Sequence, residues 1–242
     1  MNEVSLQAIM QNNPQQWTIN SILSQQYGKI ILRDNERACL NTAQFYYIEG
    51  PFLLSFAQAL LKEMHLSGVI TSSNQDWYRY FMNTKPNHFQ LLPRRMYKWT
   101  NQINKLLSYT DKPSLYQVKP INQLYANEIE KLEWAQGVFD SYVDMSDFLK
   151  HGFGYCVLDG EKIVALCMSF SQSSHGVEIE VDTDPKYQGQ GIGKIVSARF
   201  VAEAYRRNMT SLWDATNIAS AKIAEALGFE FVREYIALCR VE

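Results

Sequence analysis

The sequence predicts an α/β protein whose C-terminal half is a mixed sheet with helices on its faces. Three observations predict it. After Gly152 the texture turns strongly β, with a hairpin signal at Asp159-Gly160. A strand then ends in a glycine-rich turn that opens directly into an amphipathic helix. The remaining segments alternate between strand-like and helix-like patterns, giving β-β-β-α-β-α-β overall.

Length and composition fit that class. A chain of 242 residues forms one large domain or two small ones. With 46% hydrophobic and 20% charged residues it has an ordinary globular balance. A net charge of −2 and a pI near 6.1 argue against nucleic acid or an anionic membrane as partner. The N-terminal stretch MNEVSLQAIMQNNPQQWT has neither a basic n-region nor a continuous apolar run, so no signal peptide is expected. The longest apolar runs, such as Phe52-Leu53-Leu54, fall far short of a membrane span. Cys39, Cys156, Cys167 and Cys239 are widely spaced and form no Cys-x-x-Cys pair, which argues against a zinc site and a disulfide scaffold. A soluble cytoplasmic protein without a metal is the expectation.

In chain order, Thr42–Glu49 reads as a strand ended by Gly50-Pro51. Phe52–Met64 places Leu53, Phe56, Ala57 and Leu60 at helical spacing. Gly68–Ser72 is a short strand and Gln75–Met82 a helix. Phe89–Trp99 carries Pro93 at its middle and reads as an edge strand or two pieces. The pattern breaks at Asp111-Lys112-Pro113, so the domains are expected to be 1–112, an α/β unit, and 113–242. Leu115–Val118 is a short strand, and 121–150 is helical with an interruption near Gly137. The strands Tyr155–Leu158, Ile163–Phe170 and Val177–Thr183 follow. After them come a helix at Gly191–Arg207, a strand at Ser211–Trp213, a helix at Ala219–Leu227 and a strand at Phe231–Arg240.

One segment outweighs the rest: Val181-Asp-Thr-Asp-Pro-Lys-Tyr-Gln-Gly-Gln-Gly-Ile-Gly-Lys194. Ile192, Ile195, Val196 and Phe200 recur at helical spacing, so a helix starts directly on the turn. Glycines there permit φ > 0 and a close approach of ligand to backbone amides. The free N–H groups of the first helical turn, with the positive helix end behind them, make an anion site suited to a pyrophosphate. A P-loop requires Ser or Thr after Gly-Lys, but Ile195 follows Gly193-Lys194. The dinucleotide fingerprint requires its third glycine one position later than Gly193. What fits is Gln-x-x-Gly-x-Gly at Gln188, Gly191 and Gly193. A purely structural turn is the alternative.

These residues resemble the coenzyme A pyrophosphate motif of the GNAT N-acetyltransferase superfamily, including the preceding strand and Pro185-x-Tyr187. The resemblance continues downstream in Asn217-x-x-Ser220, a helix with Ile223, Ala224 and Leu227 on one stripe, and Gly228-Phe229. It implies a GNAT acyl-CoA fold at the C-terminus and acetyl-CoA as co-substrate. It also implies cofactor contacts from Val181, Thr183, Gln188, Gly189, Gln190, Gly191, Ile192, Gly193 and Lys194, with Asn217 and Ser220 on the pantetheine arm. Asn217 as an ordinary helix cap is the alternative. Glu178-Ile-Glu-Val-Asp-Thr-Asp-Pro185, Trp213-Asp214 and the Ser220–Phe229 helix are similar to the subfamily that includes the zwittermicin A resistance acetyltransferase, which makes an antibiotic-resistance-like role one expectation. The resemblance is specific over 152–229 and looser elsewhere. The alternation of strands and helices before it fits a degenerate second half of the same fold, covering the acceptor cleft.

Attack by an amine requires loss of a proton, since on the order of one part in 10³ of a lysine-like amine is neutral at pH 7. Alternation puts Glu178, Glu180 and Asp182 on one face of their strand and Ile179, Val181 and Thr183 on the other. Glu180 sits where many GNAT enzymes place their glutamate base, and is the expected catalytic residue. The solvated outer face of an edge strand is the competing explanation for this acidic row. The position seven after Asn217, often a tyrosine acid in the family, is Ala224. The favoured function is acetyl transfer to a small-molecule amine by direct attack in a ternary complex. The alternatives are a non-catalytic acyl-CoA binding or sensing module and a protein N-acetyltransferase. His65, His88, His151 and His175 share no metal-ligand spacing, Cys156 and Cys167 read as core residues, and the Trp77–Phe81 cluster reads as packing.

Overall fold

The computed structural model describes residues 5–24, 28–42, 45–64, 68–110 and 115–241. His65, residues 43–44 of the predicted first strand and the Asp111-Lys112-Pro113 break lie outside them. The chain divides into two units, one running to Arg94 and resuming at Glu234, the other Arg95–Arg233.

The first unit begins with α1 (Leu6–Met10) and α2 (Gln16–Leu23). These are followed by β1 (Lys29–Arg33), β2 (Ala38–Thr42), β3 (Phe45–Glu49), α3 (Leu54–Glu63), β4 (Val69–Thr71) and α4 (Gln75–Thr84). Ser5 starts α1 by accepting the Ala8 N–H at 3.2 Å, and Asn74 starts α4 by accepting that of Asp76 at 3.0 Å. β1, β2 and β3 form an antiparallel meander, and the α3 crossover brings β4 parallel to β3. The helices bury Phe56, Leu60, Trp77 and Phe81 against Ile48 and Ile70. The Trp77–Phe81 cluster is therefore core, with the Trp77 indole N–H donating to the Gly50 carbonyl at 3.1 Å.

The chain leaves this unit within β5 (Phe89–Trp99) and continues through α5 (Ile103–Thr110), β6 (Gln117–Pro120), α6 (Gln123–Ile129) and α7 (Met145–His151). Then come β7 (Gly154–Asp159), β8 (Lys162–Gln172), β9 (Gly176–Thr183), α8 (Ile192–Arg206), β10 (Thr210–Ala215), α9 (Ile218–Ala226) and β11 (Phe229–Arg240), the order the sequence predicts. Within the second unit the strand order is β5-β10-β9-β8-β7-β6. Strands β6 to β9 pair antiparallel, β10 pairs parallel to β9, and β5 pairs antiparallel to β10. Val177, Ile179, Val196, Phe200, Trp213 and Leu227 belong to one core there, and Phe153 stacks on Phe200 at 4.6 Å.

Two expectations need correction. Phe89–Trp99 is one continuous interior strand. Pro93 fits because β5 is paired to β10 only from Arg95 to Lys98, so on that side no ladder bond needs the missing N–H. The units also divide differently from the 112/113 break. The end of β11 pairs with β4 (Leu238 with Ile70, Cys239 with Val69), which returns the C-terminus to the first unit. Among the described residues no helix is long and apolar enough to cross a membrane.

Candidate active site

The link between β9 and α8 is built in three steps. Asp184 caps a single 3₁₀ turn, Pro185–Tyr187, by accepting the Lys186 N–H at 2.9 Å. Gly189 and Gly191 then adopt left-handed φ of +78° and +82°, which side chains resist, and Gly191 is the N-cap of α8. A Cβ at either glycine would meet nothing within 4 Å, so both face open space. Gly193 differs: a Cβ there would lie 3.2 Å from Ile223 Cδ1, so this glycine lets α9 pack closely on α8. Inside α8 the first carbonyl used is that of Gly191, by Lys194 and Ile195, which leaves the Ile192 and Gly193 N–H groups without helical acceptors. An open cradle of amides at a positive helix end suits a pyrophosphate.

Beside this turn the sheet parts. β9 and β10 are paired only from Gly176–Thr210 to Glu178–Leu212, although β9 runs on to Thr183 and β10 to Ala215. From Ile179 onward β9 is paired with β8 alone, so its other backbone edge is open beside the glycine turn. This is the carboxyl end of a parallel strand pair joined by a crossover helix, where open α/β sheets bind ligands. α9 begins just past β10. Asn217 caps it by accepting the Ser220 N–H at 2.9 Å, and Ser220 Oγ accepts from the Trp213 indole at 2.8 Å.

On β9 the predicted alternation holds. Val177 and Ile179 are buried toward α8, while Glu178, Glu180 and Asp182 occupy the opposite face. Glu178 is buried and accepts from Ser171 Oγ at 3.1 Å. Glu180 and Asp182 are half-buried, and lie opposite the buried Met168 and Leu166 of β8. Burial pushes the Asp182 carboxyl up to about 6 from its ordinary 3.8.

A raised carboxylate pKa means that the folded state binds the proton more tightly than the unfolded one. This group therefore costs stability as pH rises from about 4 to about 6, and the cost is complete above that range. Asp182→Asn should raise the melting temperature at about pH 7.5, through a stabilisation on the order of 1–2 kcal/mol. It should leave the melting temperature unchanged near pH 4. A variant equally stabilised at both pH values would show that charge burial is not the cause.

The profile of the GNAT acetyltransferase family matches residues 8–238, through both units. The chain belongs to the GNAT acetyltransferase family. It is 33% identical over 93 residues to the uncharacterized N-acetyltransferase YdfB of Bacillus subtilis strain 168. That match spans 38% of this chain and 36%, about a third, of the relative. Its fold is similar to that of a GCN5-related N-acetyltransferase-like protein from Streptococcus suis, with TM-score 0.86, 24% identity and 96% of each chain covered. A GCN5-related N-acetyltransferase from Kribbella flavida gives TM-score 0.58 and 12% identity over 92% of this chain and 94% of that one. At these identities the likeness is one of fold.

Within this GNAT chain the residues singled out from the sequence fall into two groups. Val181, Thr183 and Gln188 to Lys194 lie along the end of β9, the turn and the start of α8, and Asn217 and Ser220 lie at the start of α9. Ala224 is fully buried in the core. Cys156 and Cys167 are buried, with the Cys156 thiol pushed up to about 12 and that of Cys167 higher still, so neither is a nucleophile. No group of three His, Cys, Asp or Glu side chains suited to a metal occurs among the described residues. Sequence reasoning ranked Asp182 behind Glu180 as a base and missed Tyr116, whose hydroxyl donates to Gln190 Oε1 at 2.9 Å from 74 residues away.

Proposed function

We propose that this GNAT chain moves an acetyl group from acetyl-CoA to the amine of a small molecule, by direct attack in a ternary complex. The observation that carries it is the parting of β9 from β10 beside an open glycine cradle, with carboxylates on the adjoining strand. The Gly189 to Lys194 backbone would hold the pyrophosphate, and the free β9 edge at Val181–Thr183, with Asn217 and Ser220, would flank the pantetheine. Acetyl-CoA supplies an activated thioester. The chain's part is to hold it and to deprotonate the amine: Glu180 takes the proton as the new N–C bond forms and the C–S bond breaks. No hydroxyl stands at Ala224 to protonate the departing thiolate. That observation favours the second reading, a module that binds acyl-CoA without turnover. A panel of polyamines, aminoglycosides, amino sugars and peptide amines, with free thiol as readout, separates the two. We place the protein in the cytoplasm, in keeping with its four buried, free cysteines, and beside the subfamily of the zwittermicin A resistance acetyltransferase.

We also infer that the first unit is a degenerate copy of the second. The support is the run α1-α2-β1-β2-β3-α3-β4-α4-β5, which repeats element for element as α6-α7-β7-β8-β9-α8-β10-α9-β11. Strand directions agree, and Asn74 and Asn217 cap the corresponding helices. Residues 50–53 replace the long 184–191 link, and a Cβ on Gly50 would lie 2.2 Å from the Glu36 carbonyl, so no open cradle forms. Calorimetry should therefore give one CoA per chain. Saturation at about 100 times Kd should add roughly 2.7 kcal/mol of stability in a thermal-shift titration. Two equivalent sites, or no shift with acetyl-CoA or CoA, would contradict these readings.

A further inference from the structure

The turn that precedes the glycines is fastened to the tip of the β7–β8 hairpin. Asp159 pairs with Lys162 across a two-residue loop in which Gly160 takes φ +60°. Lys162 Nζ donates to Asp184 Oδ2 at 2.7 Å and lies 4.8 Å from the centroid of the Tyr187 ring. The Tyr187 hydroxyl donates to Asp159 Oδ2 at 2.9 Å. Asp184 is only 5% exposed; its other oxygen takes the Lys186 N–H, and its own N–H donates to the Val164 carbonyl. A buried carboxylate thus sits a few residues from a site built for an anion. Left uncompensated, its charge would oppose a pyrophosphate and carry a desolvation cost. Lys162 is the side chain bonded to it and the main group holding Asp184 below the usual carboxylate range, with the Lys186 N–H and charge adding to the effect. The Lys162 side chain is 48% exposed, so it adds little to the core.

We propose that Lys162 is a positioning residue for the cofactor phosphates, neutralising Asp184 and pinning Tyr187 so that the glycine turn presents its amides to the pyrophosphate. The inference rests on the reading of that turn as the CoA site. It requires no contact between Lys162 and the ligand.

The test is calorimetry with CoA on the full chain. Lys162→Met should weaken binding about tenfold, the loss expected for one charge-assisted contact in a partly exposed setting. Its melting temperature without CoA should fall only modestly, since Lys162 is partly exposed and Asp184 keeps the Lys186 N–H. Lys162→Arg should recover most of the affinity. The double variant Lys162→Met/Asp184→Asn should recover it too, since asparagine still accepts the Lys186 N–H but carries no charge. A merely structural lysine would not be rescued by removing its partner's charge. Wild-type affinity in Lys162→Met, or no recovery in the double variant, overturns the proposal. A wild type that binds no CoA overturns the cofactor reading itself, and the proposal with it.

Discussion

Gly191→Val is expected to raise the dissociation constant for acetyl-CoA at least about tenfold, while circular dichroism changes little and the melting temperature falls by only a few degrees. The residue has φ +82° and is the N-cap of α8, a conformation that costs a β-branched side chain roughly 1–2 kcal/mol. Its Cβ would enter open space, so nothing in the protein itself is displaced. The valine instead occupies the room that phosphate oxygens need to reach the Ile192 and Gly193 amides. Gly193→Val is the control with the opposite signature. Its side chain would meet Ile223 and Thr183 and push α9 from α8, so the melting temperature should fall even without ligand. Unchanged acetyl-CoA affinity in Gly191→Val, measured by calorimetry, would place the phosphates elsewhere.

The second unit was legible because its signals are local. Asp159-Gly160 names a hairpin by its turn chemistry, and the glycines before α8 carry a conformational reason to be there, two of them at left-handed φ. Alternation along β9 likewise placed its three carboxylates on one face. The first unit hides its signals in long-range satisfaction of polar groups. β2 reads Ala-Cys-Leu-Asn-Thr and is buried throughout, with no alternation to mark it. Asn41 is accommodated by donating to the Phe45 carbonyl at 2.9 Å, and Thr42 by bonding the Tyr47 hydroxyl at 2.8 Å. Gln15, at the start of α2, reaches the Tyr235 hydroxyl at 2.6 Å across 220 residues. No window of sequence shows such a pair, and none shows that β11 will return to β4. The grip of Lys162 on Asp184 is hidden for the same reason. Each residue reads alone as an ordinary surface charge, and the pair exists only once β8 lies beside β9.

Glu180→Gln is expected to lower kcat by about 10²–10⁴ with a good amine acceptor, while affinity for acetyl-CoA barely moves. Glutamine keeps the shape and hydrogen-bonding reach of the side chain but cannot take the proton. Asp182 lies on the same face, two residues along a strand that rises about 3.3 Å per residue, so the two carboxylates feel each other's charge. Burial has already raised Asp182 to about 6, which makes it the rival for the same role. The pH dependence separates them. If Glu180 accepts the proton, Asp182→Asn should keep most of kcat and retain an ascending limb in kcat/KM, shifted toward lower pH because a neighbouring negative charge is gone. If Asp182 accepts it, Asp182→Asn should lose that limb along with the rate, and Glu180→Gln should keep both. An acceptor whose own amine ionises well above pH 8 should be avoided, since its limb would cover that of the carboxylate. Full kcat in both single variants would remove general-base catalysis from β9 altogether and leave the strand to position the amine by charge alone.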